Sequence, residues 1–424
     1  MITFNGQVLL FNYNALDDSL IYPTGGGRNY IKYLFDVNSV PTFSAGIEAV
    51  QDSVNPNIWT VYNDDLNWDD FTKYIFSDHT TWHIEKILEI KSTNVSSMNR
   101  TFAYVHTSAY PQFDTSKVVS MEETFWGNDA MSSIPNLDTS NVTNMHGTFT
   151  NCSSLESVPN LDTSKVTAMS YIFSGCSSLS AVPTFDTRNV EWMRGSFADC
   201  RSLTSVPEFD TSKVVSMSGT FKDCRSLSSF TPHFNATAVR DMSHMFDNCS
   251  ALTSVSSIDT LKVESTSAMF RNCVSLTTVP LFNTHDDEDM REMFYRCVKL
   301  SALPEFNTVN AVWLADFCYS ATSLSSIPLY DTCMVRGMGR AFYCCSSLSA
   351  IPLLNTQNCI GADEAFAYCY KVNSGALDLY NQMSTQSPIP LTNHNRTFYQ
   401  CGSLTTNGYA ELQQIPSDWG GLGT

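Results

Sequence analysis

Basic residues are scarce in this 424-residue chain. It has 24 Lys and Arg against 42 Asp and Glu, a net charge of −18. That imbalance argues against nucleic acid and anionic membrane as partners, since both attract cationic surfaces. It serves solubility. Long apolar runs are also missing. No stretch approaches the ~20 residues of a membrane-spanning helix, so no membrane insertion is expected. The first ten residues, Met1 to Leu10, lack the basic region, the long apolar run and the small-residue cleavage site of a signal peptide. No cysteine lies near them to carry a lipid. The expectation is a chain shown without its leader, or one that leaves its cell by another route. Catalytic patterns are absent as well. No Ser/His/Asp order, no carboxylate pair at helical spacing and no phosphate loop stands out. Gly25-Gly26-Gly27 lacks the Lys-Ser/Thr such a loop needs and reads as a turn or hinge. His79 and His83 have no third or fourth zinc ligand at a definite spacing. Neither an enzyme nor a cofactor nor a bound metal is expected.

What the chain does contain is a repeat. Leu137 to Pro159 reads L-D-T-S-N-V-T-N-M-H-G-T-F-T-N-C-S-S-L-E-S-V-P. Its Asp recurs as Asp114, Asp138, Asp162, Asp186, Asp210, Asn235, Asp259, Asn283, Asn307, Asp331 and Asn355, every 24 residues with one step of 25. A fixed period in the 20s marks a leucine-rich-repeat-like solenoid, which grows by adding coils rather than cores.

Within each unit, Val142, Met145, Phe149 and Cys152 follow i, i+3, i+7, i+10, one face of a helical turn. Asp138-Thr139-Ser140 supplies oxygens to cap its donors. Leu155, Val158 and Leu161 mark a short strand, cut short because Pro159 has no N–H. The coils are therefore expected to be α/β, with a short strand and a short helical turn. Cys152, Cys176, Cys200, Cys224, Cys249, Cys273 and Cys297, with Cys345 and Cys369, fall at one position and should stack as buried free thiols, as in a reducing cytoplasm. The aspartates Asp138, Asp162, Asp186 and Asp210 form a second ladder. Because Asn replaces Asp freely there, its role is to accept backbone hydrogen bonds, and the charge that calcium requires is not needed.

The ends depart from the repeat. Residues 1–65 read as a small mixed or β domain, with strand at Ile2 to Tyr13 and turns at Pro41 and Asn55-Pro56. Leu66 to Phe76 reads as a short capping helix. Ile84, Ile87 and Ile90 match Leu155, Val158 and Leu161, which predicts a degenerate first coil from about residue 80. The solenoid is expected over 66–404, interrupted by a helix around Gly375 to Met383. A C-terminal cap is expected over 405–424, with Trp419 as its lid.

These motifs resemble the BspA-like leucine-rich repeats of bacterial surface proteins, over roughly residues 80–420. The resemblance implies adhesion and recognition. Members displayed on cells usually carry an export signal. Its absence here points to a phage virion protein, a fibre or decoration type made in host cytoplasm. Residues 1–65 would then bind other virion proteins, and the solenoid a host-surface glycan or protein. The alternative is a bacterial cell-surface adhesin. A homo-oligomer is compatible with either.

Ligand-binding candidates are residues that vary within the constant frame. The position two before the Asp carries His233, Leu281, Glu305, Leu329 and Leu353. Its leucines make a contact patch if exposed, or tuck against neighbouring coils. Trp192 and Trp313 place large rings where most coils have small residues, and suit sugar stacking, protein contact or packing on the next coil. The acidic run His285 to Asp289 reads as acids at the start of a helical turn.

Overall fold

The computed structural model describes residues 2–4, 7–9, 28–35, 48–62, 68, 84–232, 234–258, 260–385 and 390–424. The capping helix expected at Leu66 to Phe76 (apart from Trp68), the Gly25 turn, Pro41, His79, His83 and His233 lie outside these residues.

The chain begins with an antiparallel pair, β1 (Ile2–Phe4) and β2 (Gln7–Leu9). A four-stranded antiparallel sheet follows, from β3 (Tyr30–Phe35), β4 (Glu48–Gln51), β5 (Ile58–Tyr62) and β6 (Ile84–Lys91), in the order β4-β5-β3-β6. Alternation sets the faces: Ile31, Tyr33 and Phe35 are buried, as are Trp59 and Val61 across from them. The turn into β5 is closed by Asp52, whose carboxylate accepts the Val54 and Asn55 N–H groups.

Strand β6 corrects the sequence reading. Ile84, Ile87 and Ile90 do not open the solenoid; they pair with Phe35, Tyr33 and Ile31. Each two-residue step on β3 faces a three-residue step on β6, with register shifts between Lys32 and Tyr33 and between Leu34 and Phe35. The extra residues are bulges, which keep every third residue on the buried face of a strand. The sheet thus runs past residue 65 to Lys91.

From there the chain is a stack of coils. Single parallel bridges link each coil to the next, from Ser97–Ser120 through Asn144–Ala168 to Gly361–Asn393. The stretch expected to be a helical turn is not helical. Met145, Gly147, Phe149 and Asn151 donate their N–H groups to the carbonyls of Ala168, Ser170, Ile172 and Ser174 in the following coil. The residues between them, Thr148 and Thr150, and then Cys152, close turns on carbonyls three residues back. A helix would keep all these donors internal. Here half of them hold the stack together.

This division demands left-handed residues. Each coil has two, four apart, from Arg100 and Tyr104 to Arg396 and Gln400. Gly147 and Asn151 fill the pair in one coil, Gly219 and Asp223 in another. A Cβ on Gly219 would meet nothing closer than Lys222 Cβ at 3.9 Å. Gly219→Ala should therefore cost only the backbone term, about 1 kcal/mol, read as a shift in the urea midpoint. At Gly195 a Cβ would lie 2.6 Å from the Tyr171 ring, so Gly195→Ala should cost more.

Inside the stack, each coil adds one side chain to each of several columns. Val142, Met145, Phe149, Cys152 and Leu155 are all fully buried. Phe125, Phe149, Phe173, Phe197 and Phe221 stack with ring centroids 5.4 to 5.9 Å apart. The threonine of each Asp-Thr unit is a clamp. Thr139 Oγ1 donates to the Asp162 carbonyl at 2.9 Å, and Thr163, Thr187 and Thr211 repeat the bond to Asp186, Asp210 and Asn235.

The far end is covered by two helices, α1 (Ala376–Ser384) and α2 (Thr406–Leu412). The Glu411 carboxylate of α2 accepts the Gly375 and Leu377 N–H groups at the start of α1, where the helix dipole favours an anion. Gln382 of α1 reaches the Leu354 carbonyl and the Thr356 hydroxyl, ending the threonine column. Trp419 is buried and stacks on His394 with centroids 4.2 Å apart.

Candidate functional site

The coil has two long outward faces. The first is the strand side, the residues between the buried Leu155 and Asp162 positions and their equivalents. Backbone bonds run along it from coil to coil: Thr204 N–H to Ser180, Thr277 to Thr253, Ser325 to Ser301. Among the described residues, only Ser229–Phe230 and Ser254–Val255 pair as a two-residue parallel ladder. Leu281, Leu329 and Leu353 stand on this face and point to solvent, at 60%, 72% and 56% exposure. They do not tuck against neighbouring coils. Leu329 and Leu353 are on adjacent coils, while Leu281 is separated from them by the exposed Glu305.

Trp192 and Trp313 occupy the bridging column elsewhere on the coil, where each joins the parallel bridges to its neighbours. Five coils separate them, so they form no joint site. Both are exposed, at 49% and 40%. The Trp313 ring lies over Gly337, where a Cβ would be 3.0 Å from it.

The second face is the outer side of the turn segment. Its residues differ strongly from coil to coil. A column of rings runs along its C-terminal half. Tyr295 and Tyr319 stack at 4.6 Å and 10°, and Tyr319 and Tyr343 at 4.7 Å and 3°. Tyr368 and Tyr399 continue it edge-to-face. All five are half-buried. Arg340 sits over Tyr319 and pairs with Asp316 at 2.9 Å; Arg396 sits over Tyr399 and donates to the Tyr368 hydroxyl at 3.1 Å. The second oxygen of Asp316, Oδ1, is buried without a hydrogen bond. Burial raises the pKa of this carboxyl despite Arg340. The candidates taken from the sequence omit this column, although Tyr295, Tyr319 and Tyr343 recur at the 24-residue period.

The same face carries an ionic network near its middle. Arg271 grips the buried Asp247 with two bonds, 3.0 and 2.6 Å, and reaches Glu292 at 3.1 Å. His244 reaches Asp247 at 3.1 Å. Burial opposes ionisation of Asp247, but its bonds to His244 and Arg271 outweigh that, and its pKa is lowered.

The ladders are local devices. Asp138 Oδ1 accepts the Ser140 N–H at 3.0 Å and the Ser140 hydroxyl at 2.6 Å, bonds that lower its pKa. Asp162 repeats both bonds, and Asp210 the N–H bond. At Asp186 the Arg188 guanidinium takes the place of the serine hydroxyl. Asn283 and Asn355 accept the same N–H from His285 and Gln357. An acceptor is required at this position, and a charge is not. The ladder cysteines are buried thiols, each donating to a carbonyl of the preceding coil, as Cys176 does to Phe149 at 3.1 Å and Cys200 to Phe173 at 3.2 Å. Cys224, Cys249, Cys273 and Cys297 continue the series, which opens with Cys152. Burial pushes all seven well up, to about 12 at Cys152. Such thiols are inert.

The acids of the 285–289 run diverge. Asp286 pairs with His285, and Asp289 with Arg291. Asp287 turns into the core, where its carboxylate meets the Thr266 hydroxyl at 2.5 Å. Among the described residues no three metal-binding side chains converge, and no helix is long and apolar enough to cross a membrane.

Stacked coils of nearly one period, with mainly apolar inner columns and a variable outer face, define a repeat solenoid. The family described as "Mycoplasma protein of unknown function, DUF285" matches residues 70–181, 93–205, 178–279 and 275–380. The chain belongs to this family. No curated protein matches it. Ten solved chains are similar, three of them as follows. A leucine-rich repeat protein from Bacteroides ovatus is 21% identical, covering 70% of this chain and 91% of that one, with a TM-score of 0.27. One from Eubacterium ventriosum is 17% identical, covering 57% and 77%, with a TM-score of 0.33. A leucine-rich cell surface protein from Faecalibacterium prausnitzii is 16% identical, covering 83% and 100%, with a TM-score of 0.29.

Proposed function

We propose that this chain is a non-enzymatic recognition protein, a surface adhesin of the BspA-like kind, which binds a glycan or protein through the turn face of its solenoid. One observation carries the reading. The inner columns are mainly apolar from coil to coil, while the turn face varies and gathers Tyr295, Tyr319, Tyr343, Tyr368 and Tyr399 into a continuous row beside Arg340 and Arg396. Tyr and Arg dominate binding hot spots because they combine large area with polar tips. Nothing in the family match or the coordinates supports the virion placement expected from the sequence.

The test is binding of fluorescently labelled protein to bacterial and epithelial cells. Periodate or protease treatment of the cells separates glycan from protein ligands. The double variant Tyr319→Ala/Tyr343→Ala should weaken binding roughly thirtyfold, the effect of losing a hot spot of about 2 kcal/mol. Binding equal to wild type would remove the turn face from the proposal, and no binding by wild type to any cell would remove the adhesin reading.

A further inference from the structure

The sign of charge reverses along one edge of the tyrosine row. In five successive coils, the residues from the ring position to the strand side (295–302, 319–326, 343–350, 367–374 and 399–405) hold three bases, Arg296, Lys299 and Lys371. All 42 acids of the chain lie elsewhere. The three bases are exposed. The ion pairs around them join Arg271 to Glu292, Arg291 to Asp289, Arg340 to Asp316 and Arg396 to Glu364, and include none of the three. Earlier coils balance the same stretch, where Arg201 and Arg225 pair with Asp199 and Asp223. In a chain of net charge −18, this edge is a strip of uncompensated positive charge.

We infer that this strip binds an acidic glycan, one whose carboxylates or sulfates are separated by neutral, hydroxyl-bearing sugar. The inference rests on the turn-face reading above and names its ligand class. The tyrosines themselves argue against the usual stacking of a sugar ring. Tyr319 is covered on one face by Tyr295 and on the other by Tyr343, at 4.6 and 4.7 Å. What it has left for a ligand is its edge and its hydroxyl. The edge is the positive part of an aromatic ring, so the row favours an anion over an apolar sugar face. Burial, then the neighbouring phenols, raise the pKa of Tyr319 and Tyr343, the latter to about 12. Both therefore keep the proton that a hydroxyl donor needs. Charge spacing separates a glycan from denser polyanions. Lys299 and Lys371 share one column three coils apart, about 14 Å at the spacing of paired strands. Ser323 and Ser347 fill the column between them and offer hydroxyls. Duplex nucleic acid carries a phosphate every ~1.7 Å, and most of that charge would meet no cation here. A glycan with spaced acidic groups meets the cations with its charges and the serines with its hydroxyls.

Biolayer interferometry of the full chain tests this on immobilised hyaluronate and chondroitin sulfate, with carboxyl-reduced hyaluronate as the neutral match. The wild type should bind an acidic glycan, bind the reduced form at least about tenfold more weakly, and lose affinity as salt rises. Arg296→Gln/Lys299→Gln/Lys371→Gln should bind about tenfold more weakly, the effect of three exposed charge contacts, and with a shallower salt dependence. Its thermal unfolding midpoint should match wild type, since all three side chains are exposed. Lys117→Gln/Arg194→Gln/Lys262→Gln removes the same charge away from the strip and should bind as wild type does. Equal binding to the reduced glycan, or by the first triple variant, would overturn the inference. Tighter binding to polyglutamate, lost in that variant, would assign the strip to an acidic protein instead. A wild type that binds cells through Tyr319 and Tyr343 but neither acidic glycan would overturn this inference and leave the adhesin reading standing. A wild type that binds neither glycans nor any cell would overturn both.

Discussion

The gap in stability between Asp287→Asn and wild type should widen by up to about 4 kcal/mol between pH 4 and pH 8, in favour of the variant. Asp287 occupies the column held by Val263 and Val335 in other coils, and it is fully buried. Burial raises its pKa to about 7, although the Thr266 hydroxyl and the Thr266 and Asp289 N–H groups all favour the carboxylate. The sign follows from linkage. Between about pH 4, where the unfolded carboxyl titrates, and about pH 7, the folded chain holds a proton that the unfolded chain has lost. Raising the pH through that window destabilises the fold, and above it the loss is complete. Asn cannot ionise and is free of this term. Urea titrations of both proteins at pH 4, 6 and 8 measure the gap. A constant gap would mean that water reaches Asp287 and relieves its burial. The acids Asp138, Asp162 and Asp210 shift the other way, lowered by their serine hydrogen bonds. They add stability as the pH rises through the acid range, but equally in both proteins.

Phe317→Ala should cost about 3–5 kcal/mol, the usual range for a buried Phe. Adding Cys318→Phe should recover most of it. The reason lies in one irregular coil. The phenylalanine column runs to Phe294 and resumes at Phe342, but the residue between them in register is Cys318. Phe317, one residue earlier, fills the gap. Its ring stands edge-on to Phe294 at 5.4 Å and to Phe342 at 6.2 Å. Other coils have a smaller residue there, Ala341 and Ala365 among them. The Ala-Phe order of the double variant is that of Ala341-Phe342, so the two substitutions should be strongly non-additive. Additive costs in chemical denaturation would show that Phe317 does not stand in for the missing ring. The solenoid's nearest-neighbour energetics make this coil a place where unfolding can divide the array.

Much of this protein follows from its sequence. The 24-residue register identifies a solenoid, and the apolar positions Val142, Met145, Phe149, Cys152 and Leu155 are its inner columns. The exchange of Asp138 for Asn355 along one position shows an acceptor rather than a charge. The break after Cys369 marks the segment that becomes α1. All of these are statements about which residues face inward and where the period fails, and spacing carries that information directly.

The tertiary structure decided the rest. Spacing of i, i+3, i+7 is shared by a helix and by a chain of turns. What separates them is the destination of each N–H, and Gly147 and Phe149 give theirs to the next coil. The three-residue spacing of Ile84, Ile87 and Ile90 fits the repeat as well as it fits a bulged strand, and pairing with Ile31, Tyr33 and Phe35 settles it. Trp192 and Trp313 are conspicuous in the sequence yet stand five coils apart. Tyr295, Tyr319 and Tyr343 are inconspicuous beside the core phenylalanines, yet they are brought within stacking distance. Residues 24 apart become neighbours only when the coil closes, so the composition of an outer column is fixed by the pitch of the stack and not by any local pattern.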